Sequence, residues 1–91
     1  MGLFNDSNDR DSWHYAIDRK FVTTLPEIKG YTILEQKGAF FDVSDLTGVE
    51  GSMKGIINKA LAEGCNAIVN LRITTGYGSV VVYGDGVVIN K

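Results

Sequence analysis

Cys65 and His14 are the residues of this 91-residue chain whose types are most often reactive, and each is the only one of its kind. A cysteine serves as a nucleophile or metal ligand when a nearby base or a helix N-terminus stabilises its thiolate. Cys65 instead follows the predicted end of a helix, where the dipole has the opposite sign. We therefore interpret Cys65 as a small buried apolar residue.

His14 lies between Trp13 and Tyr15 in a polar N-terminal segment. A catalytic histidine needs an orienting carboxylate or a nucleophile, and proximity in sequence to Asp11 and Asp18 does not establish such a pair. Packing at a surface or an interface is the favoured interpretation. One cysteine and one histidine fall short of the usual zinc ligand set, so we predict no metal site. We also predict no cofactor and no enzymatic activity, since no carboxylate pair, nucleophile with a base, or cofactor loop stands out in the sequence.

An anionic ligand is the chemistry that the polar residues near the C-terminus suit best. Arg72 and Thr74 lie on the polar face of a predicted strand, and Tyr77 follows in a glycine-rich connection. Guanidinium groups repeated around an oligomer suit phosphate or carboxylate, and a tyrosine can stack on a flat ring. The ordinary alternatives are a cross-strand pair between Arg72 and Glu35, and a plain hairpin turn at residues 76–78.

Length and composition narrow the classes of function. A chain of 91 residues forms one domain that removes only about 60–65% of its unfolded surface from water, so oligomerisation is expected. A net charge of -2 gives little attraction to nucleic acid or anionic lipid. The sequence shows no signal peptide and no apolar run that spans a bilayer, and Asp6 breaks a myristoylation motif. We predict a cytoplasmic protein.

The apolar pattern predicts the order strand, helix, strand, strand. Strand-forming runs lie at residues 21–24 and 31–36, and the second continues through Gly38 to Val43. A helix is expected at about residues 51–63, with a capping box at Thr47 and Glu50 and a C-terminal cap at Gly64. Its apolar stripe consists of Val49, Met53, Ile56, Ile57, Ala60 and Leu61.

The last two strands have apolar residues on both faces, whereas a single helix covers one face, so subunit contacts are expected to cover the other. Strict alternation puts Ala67, Val69, Leu71 and Ile73 on one face of the first of them. The same alternation puts Ile68, Asn70, Arg72 and Thr74 on the other face. A bulge or turn is expected at residues 84–86.

Residues 1–20 form a polar arm before a single domain at residues 21–91. Trp13, Ala16 and Ile17 have helical spacing, so a short helix capped by Asn8 or Asp9 is predicted. A lone exposed tryptophan is unusual, which indicates that the arm docks on its own domain or on a neighbour.

Residues 21–90 resemble the YbjQ-like family of small bacterial proteins. The matching positions are Thr23, Thr24, Gly30, Gly38, residues 64–69, Arg72, Tyr83 and Gly84. The resemblance implies an α+β fold, with a β-α-β-β subunit whose one amphipathic helix packs on a small, mostly antiparallel sheet, and a ring that is commonly a pentamer. It implies no known reaction. The family also carries a heavy-metal-binding label, without a ligand motif that transfers to this chain, which is shorter between Phe41 and Ser52 and has the added arm.

We therefore predict a non-enzymatic homo-oligomer that binds a small anionic or nucleotide-like ligand at subunit seams, with no nucleic-acid polymer and no membrane as partner. The predicted ligand-binding residues are Arg72, Thr74, Tyr77, Thr23 and Thr24, the two threonines because they match the family's opening motif. The alternatives are a heavy-metal-binding protein and a structural or protein-interaction module that docks through its arm.

Overall fold

The computed structural model describes residues 13–45 and 48–91, which form one α-helix and a three-stranded antiparallel sheet. The elements are a 3-10 turn at Arg19–Phe21, β1 at Ile33–Asp45, α1 at Val49–Ala62, β2 at Ala67–Gly76 and β3 at Ser79–Ile89. The strand order is β1-β3-β2, so β3 is central. The predicted α+β fold, with its order strand, helix, strand, strand, is confirmed. None of the helices within the described residues is long and apolar enough to cross a membrane.

α1 is amphipathic, as its sequence pattern predicts. The buried members of the apolar stripe are Met53, Ile56, Ile57 and Ala60. Val49 and Leu61, at the two ends of the stripe, are partly exposed. The N-cap is Gly48, which has no side chain to cap the helix, and Thr47 of the predicted capping box lies outside the described residues. Gly64 has a φ of 88°, as expected of a glycine that ends a helix.

The helix packs on one face of the sheet, which we call the covered face. Ser52 of α1 donates a hydrogen bond of 2.7 Å to the Ser44 hydroxyl of β1. Gly55 of α1 lies against the carboxylate of Asp42, because a glycine leaves room there that a Cβ would fill. The β3 residues that share this face are Val80, Val82, Gly84 and Gly86.

The opposite face carries no helix among the described residues, and half of it is exposed. We call this half the open face. It consists of Phe41 and Val43 of β1, Val81 and Tyr83 of β3, and Arg72 and Thr74 of β2. Phe41 and Val43 are 60% and 52% exposed. At the other end of the same face, Val87 and Ile89 are buried. Lys91, two residues after Ile89, lies over the ring of Phe21.

The described part of the arm packs on its own domain but does not form the predicted helix. Ile17 is buried in the core, and the Trp13 indole N–H donates to the Ile17 carbonyl at 2.6 Å. Residues 13–18 contain no helical turn, so the prediction is wrong there, while Asn8 and Asp9 lie outside the described residues. So short a segment makes too few backbone hydrogen bonds to hold a helix, and the packing of Ile17 decides its path.

The segment after the arm covers half of the outer edge of β2. The Thr23 N–H donates to the Ile68 carbonyl at 2.9 Å, and the Leu71 N–H donates to the Thr23 carbonyl at 3.0 Å. The Asn70 N–H donates to the Leu25 carbonyl at 2.9 Å. The strand predicted at residues 21–24 is thus reduced to a short pairing that protects this edge.

β2 contains one extra residue that reverses its side-chain alternation. Between Val69 and Arg72 the strand advances three residues while β3 advances two, and Asn70 adopts a φ of 56°. Arg72 consequently shares a face with Val69, and Ile73 faces the other way. The predicted faces of β2 are therefore wrong beyond Asn70, because the alternation rule holds only while no bulge intervenes.

β3 runs without interruption through residues 84–86, so the bulge predicted there is wrong. The irregularity lies opposite, in β1, between Gln36 and Gly38, and Gly38 has a φ of 122°. Gly86 serves close packing instead. A Cβ at Gly86 would lie 2.5 Å from Phe40 Cε2 and 2.7 Å from Cys65 Sγ.

Candidate functional site on the open face

The side chain of Arg72 is held at the β2 side of the open face. Its Nη1 donates to the Thr24 carbonyl at 2.7 Å and to the Leu71 carbonyl at 2.9 Å. These bonds fix the direction of the guanidinium while the residue as a whole stays exposed. Both bonds come from Nη1 of Arg72, and a guanidinium carries five N–H donors in all.

The predicted cross-strand pair between Arg72 and Glu35 does not form. Glu35 lies on β1 and Arg72 on β2, with β3 between them. Glu35 pairs instead with Lys37, at 3.1 Å, on its own strand. The sequence could not supply this result, because the order of the three strands decides which residues become neighbours.

The structure brings some of the predicted ligand-binding residues together and separates others. The Thr24 carbonyl accepts a hydrogen bond from Arg72. Thr74 lies on the open face two residues after Arg72 on β2. The Thr23 hydroxyl accepts the Leu25 N–H at 3.1 Å and so belongs to a local turn. Tyr77 is fully exposed at the hairpin tip, about 10 Å along the chain from Thr74.

The connection between β2 and β3 is the hairpin turn that the glycine spacing indicates. Gly76 pairs with Ser79, so Tyr77 and Gly78 form a two-residue loop. Their φ values of 53° and 78° are both positive, as a type I′ turn requires. Tyr77 therefore lies in the loop beyond the last paired residues of the two strands, fully exposed and apart from Arg72.

Two residues that sequence reasoning did not select as ligand-binding residues complete the open face, namely Phe41 and Tyr83. Phe41 pairs directly with Tyr83 across β1 and β3, and Tyr83 pairs with Arg72 across β3 and β2. We call these three residues the aromatic row. The alternation of Phe41 with Val43 and of Val81 with Tyr83 was a visible signal, but the bulge at Asn70 had to be known before Arg72 could be added.

Lys59 of α1 reaches the β1 end of the aromatic row. Its Nζ donates to the Phe41 carbonyl at 2.7 Å and to Asp42 Oδ1 at 2.8 Å, and it lies 5.5 Å from the centroid of the Phe41 ring. The ammonium is therefore close to one end of the row and Arg72 is at the other. The charge of Lys59 is shared with a carboxylate, whereas the bonds that Nη1 of Arg72 makes go to neutral carbonyls.

Cys65 and His14 lie in different surroundings in the part of the chain that the structure describes. Cys65 is 2% exposed, and burial raises the pKa of its thiol above the ordinary value, with Lys37 opposing the shift. The exposed His14 ring stacks on Tyr15 with centroids 4.6 Å apart. The described residues contain no group of three or more histidine, cysteine or acidic side chains that could hold a metal ion, and they enclose no pocket.

No protein-family model matches the sequence, and no curated protein matches it significantly. The resemblance to the YbjQ-like family stays a prediction from the motifs.

Proposed function

We propose that this chain is a cytoplasmic, non-enzymatic subunit of a homo-oligomer that binds a small anionic or nucleotide-like ligand where the open face meets a second subunit. One observation carries the proposal. Exposed apolar side chains of β1 share one face of the sheet with an exposed arginine of β2, whose guanidinium is held by backbone carbonyls.

The apolar side chains support assembly with a second copy of the chain. Val43 of β1 and its partner Val81 of β3 lie on this face beside the aromatic row, and Val43 is 52% exposed, so apolar area is available for a subunit contact without any rearrangement of the fold. Removal of such area from water contributes about 25 cal/mol per Å². A domain of this size gains more from that burial than a large one would, because its own core is small. A second copy offers the same apolar patch, which makes a two-fold contact self-complementary.

Arg72 supports an anionic ligand at that contact. A guanidinium presents a planar fork of donors that matches phosphate or carboxylate. The Thr24 and Leu71 carbonyls already orient it, so less side-chain entropy is lost when an anion binds. A second subunit beside Arg72 excludes water, which strengthens the attraction between the guanidinium and an anion. Thr74 lies on the same face, and its hydroxyl is a further hydrogen-bond donor.

The assembly is tested by light scattering coupled to size exclusion and by native mass spectrometry of protein purified from its own host. We expect an oligomer, with an added mass that matches an anion. Val43→Lys puts like charges at the contact and should weaken association at least tenfold. Leu61→Lys is the matched control, because Leu61 is partly exposed on α1 and lies outside the open face. It should assemble like the unmodified chain. A monomeric unmodified chain, or equal effects of the two variants, contradicts the proposal.

A further inference from the structure

The aromatic row contains two aromatic residues beside Arg72, and a site that bound only a charged group would not need them. Phe41 and Tyr83 are 60% and 43% exposed, although both are large rings on a regular sheet. Residues directly opposite in an antiparallel pair have Cβ atoms about 4.5–5.5 Å apart, so Phe41 and Tyr83 occupy adjacent positions on the open face. Arg72 is the next residue in the same row.

Two exposed aromatic side chains at adjacent positions of one sheet face provide a surface on which a flat ring can stack. Such stacking tolerates any base, because every base has a π-face, and one stacked base typically strengthens binding about tenfold. The row crosses three strands, and two spacings between strands amount to about 10 Å. A base and a phosphate that belong to one nucleotide fit within that length.

The charges at the two ends of the row decide how such a ligand lies. Lys59 at the β1 end is bonded to Asp42 and contributes little net attraction. Arg72 at the β2 end is bonded through Nη1 to neutral carbonyls, and the residue is exposed. A phosphate is therefore drawn to the Arg72 end, which leaves the base over Phe41 and Tyr83. The net charge of -2 and a single guanidinium suit one nucleotide better than a polymer.

We infer that the aromatic row binds a nucleoside monophosphate, with the base stacked on Phe41 and Tyr83 and the phosphate paired with Arg72. The inference rests on the proposed function, because it concerns the same ligand. It specifies that the ligand contains a base and that Phe41 and Tyr83 recognise this base. It also places the ligand away from Tyr77, which the sequence had suggested as the stacking residue.

Calorimetric titration of the full chain with two probes tests the inference. Adenosine 5′-monophosphate has both a base and a phosphate, whereas ribose 5-phosphate lacks the base. We expect the first to bind about tenfold more tightly. Tyr83→Leu and Phe41→Leu keep an apolar side chain but remove the ring, so each should lower the affinity for adenosine 5′-monophosphate and leave that for ribose 5-phosphate unchanged. Arg72→Gln should weaken both probes by a similar factor.

Tyr77→Leu is the matched control, because it removes the same ring from a fully exposed tyrosine outside the open face. It should leave both affinities unchanged, and a loss equal to that of Tyr83→Leu overturns the placement of the base. Equal affinities of the two probes overturn the inference but leave the proposed anion site standing. If neither probe binds an assembled oligomer, the inference and the ligand part of the proposed function fail together.

Discussion

The two faces of the sheet differ in burial, and consecutive residues of each strand lie on opposite faces. Val82 is completely buried under α1, while its neighbour Tyr83 is 43% exposed on the open face. On β1, Asp42 lies against the helix and Val43 faces outward. The covered face is buried and stabilises the fold, whereas the open face is exposed, and the proposed binding site lies there. Substitutions on the open face should therefore alter binding with little effect on folding.

The sharpest test of this difference is the same substitution on each face. Val82→Ala removes two methyl groups from a fully buried site and leaves a cavity, so it should lower the free energy of unfolding by about 2 kcal/mol. Val43→Ala removes the same groups from a 52% exposed site and should change it by no more than about 0.5 kcal/mol. Urea unfolding measures both.

The protein concentration should be low enough to keep the chain monomeric, since assembly would add to the apparent stability. If Val43→Ala proved as costly as Val82→Ala under that condition, the open face would have to be buried within one chain. The distinction between the two faces would then be wrong.

A second test concerns two glycines. Gly86→Ala places a Cβ 2.5 Å from Phe40 Cε2 and 2.7 Å from Cys65 Sγ, so we expect a loss of about 1–2 kcal/mol as these groups move apart. Gly76→Ala meets no atom within 4 Å and needs no positive φ. It should be neutral or raise the free energy of unfolding by about 0.5 kcal/mol. Thermal unfolding of both variants gives the comparison, and an equal response of the two would refute close packing at Gly86.

The covered face was largely predictable from the sequence, and the open face was not. The stripe on α1 and the glycine at its end are local patterns, which depend on residues a few positions apart. The partners across the sheet depend on strand order and on bulges. A single residue at Asn70 decides that Arg72 joins Tyr83. Asparagine tolerates a positive φ better than most residues, but an asparagine within a strand does not by itself locate a bulge.

The candidate site shows the same limit. Arg72 and Thr74 were identified from their types, because a guanidinium and a hydroxyl on a polar strand suggest an anion site by themselves. The sequence does not distinguish Phe41 and Tyr83 from ordinary strand residues, since aromatic side chains are usually buried in the core. Only the register, together with their exposure, distinguishes them from core residues.

The smallest expected effect is a pH dependence of the free energy of unfolding that comes from the buried thiol of Cys65. Burial raises the pKa of the Cys65 thiol above its ordinary value of 9.0; Glu63 and Glu35 act in the same direction and Lys37 against it. In the unfolded chain the thiol ionises near that ordinary value, whereas in the folded chain it keeps its proton to higher pH. The free energy of unfolding should therefore be unaffected by this thiol below about pH 8 and should fall as the pH rises beyond 9.

Cys65→Ala isolates this contribution, because burial also raises the pKa of Tyr15, from an ordinary value of 10.0, and that effect remains in the variant. Urea unfolding at a series of pH values should give a shallower decline for Cys65→Ala than for the unmodified chain. Reaction of the thiol with a disulfide reagent should also be slow until the protein unfolds, since the reactive species is the thiolate. Rapid labelling of the folded chain at neutral pH would mean that Cys65 is accessible and ionised, and its interpretation as a packed apolar residue would fail.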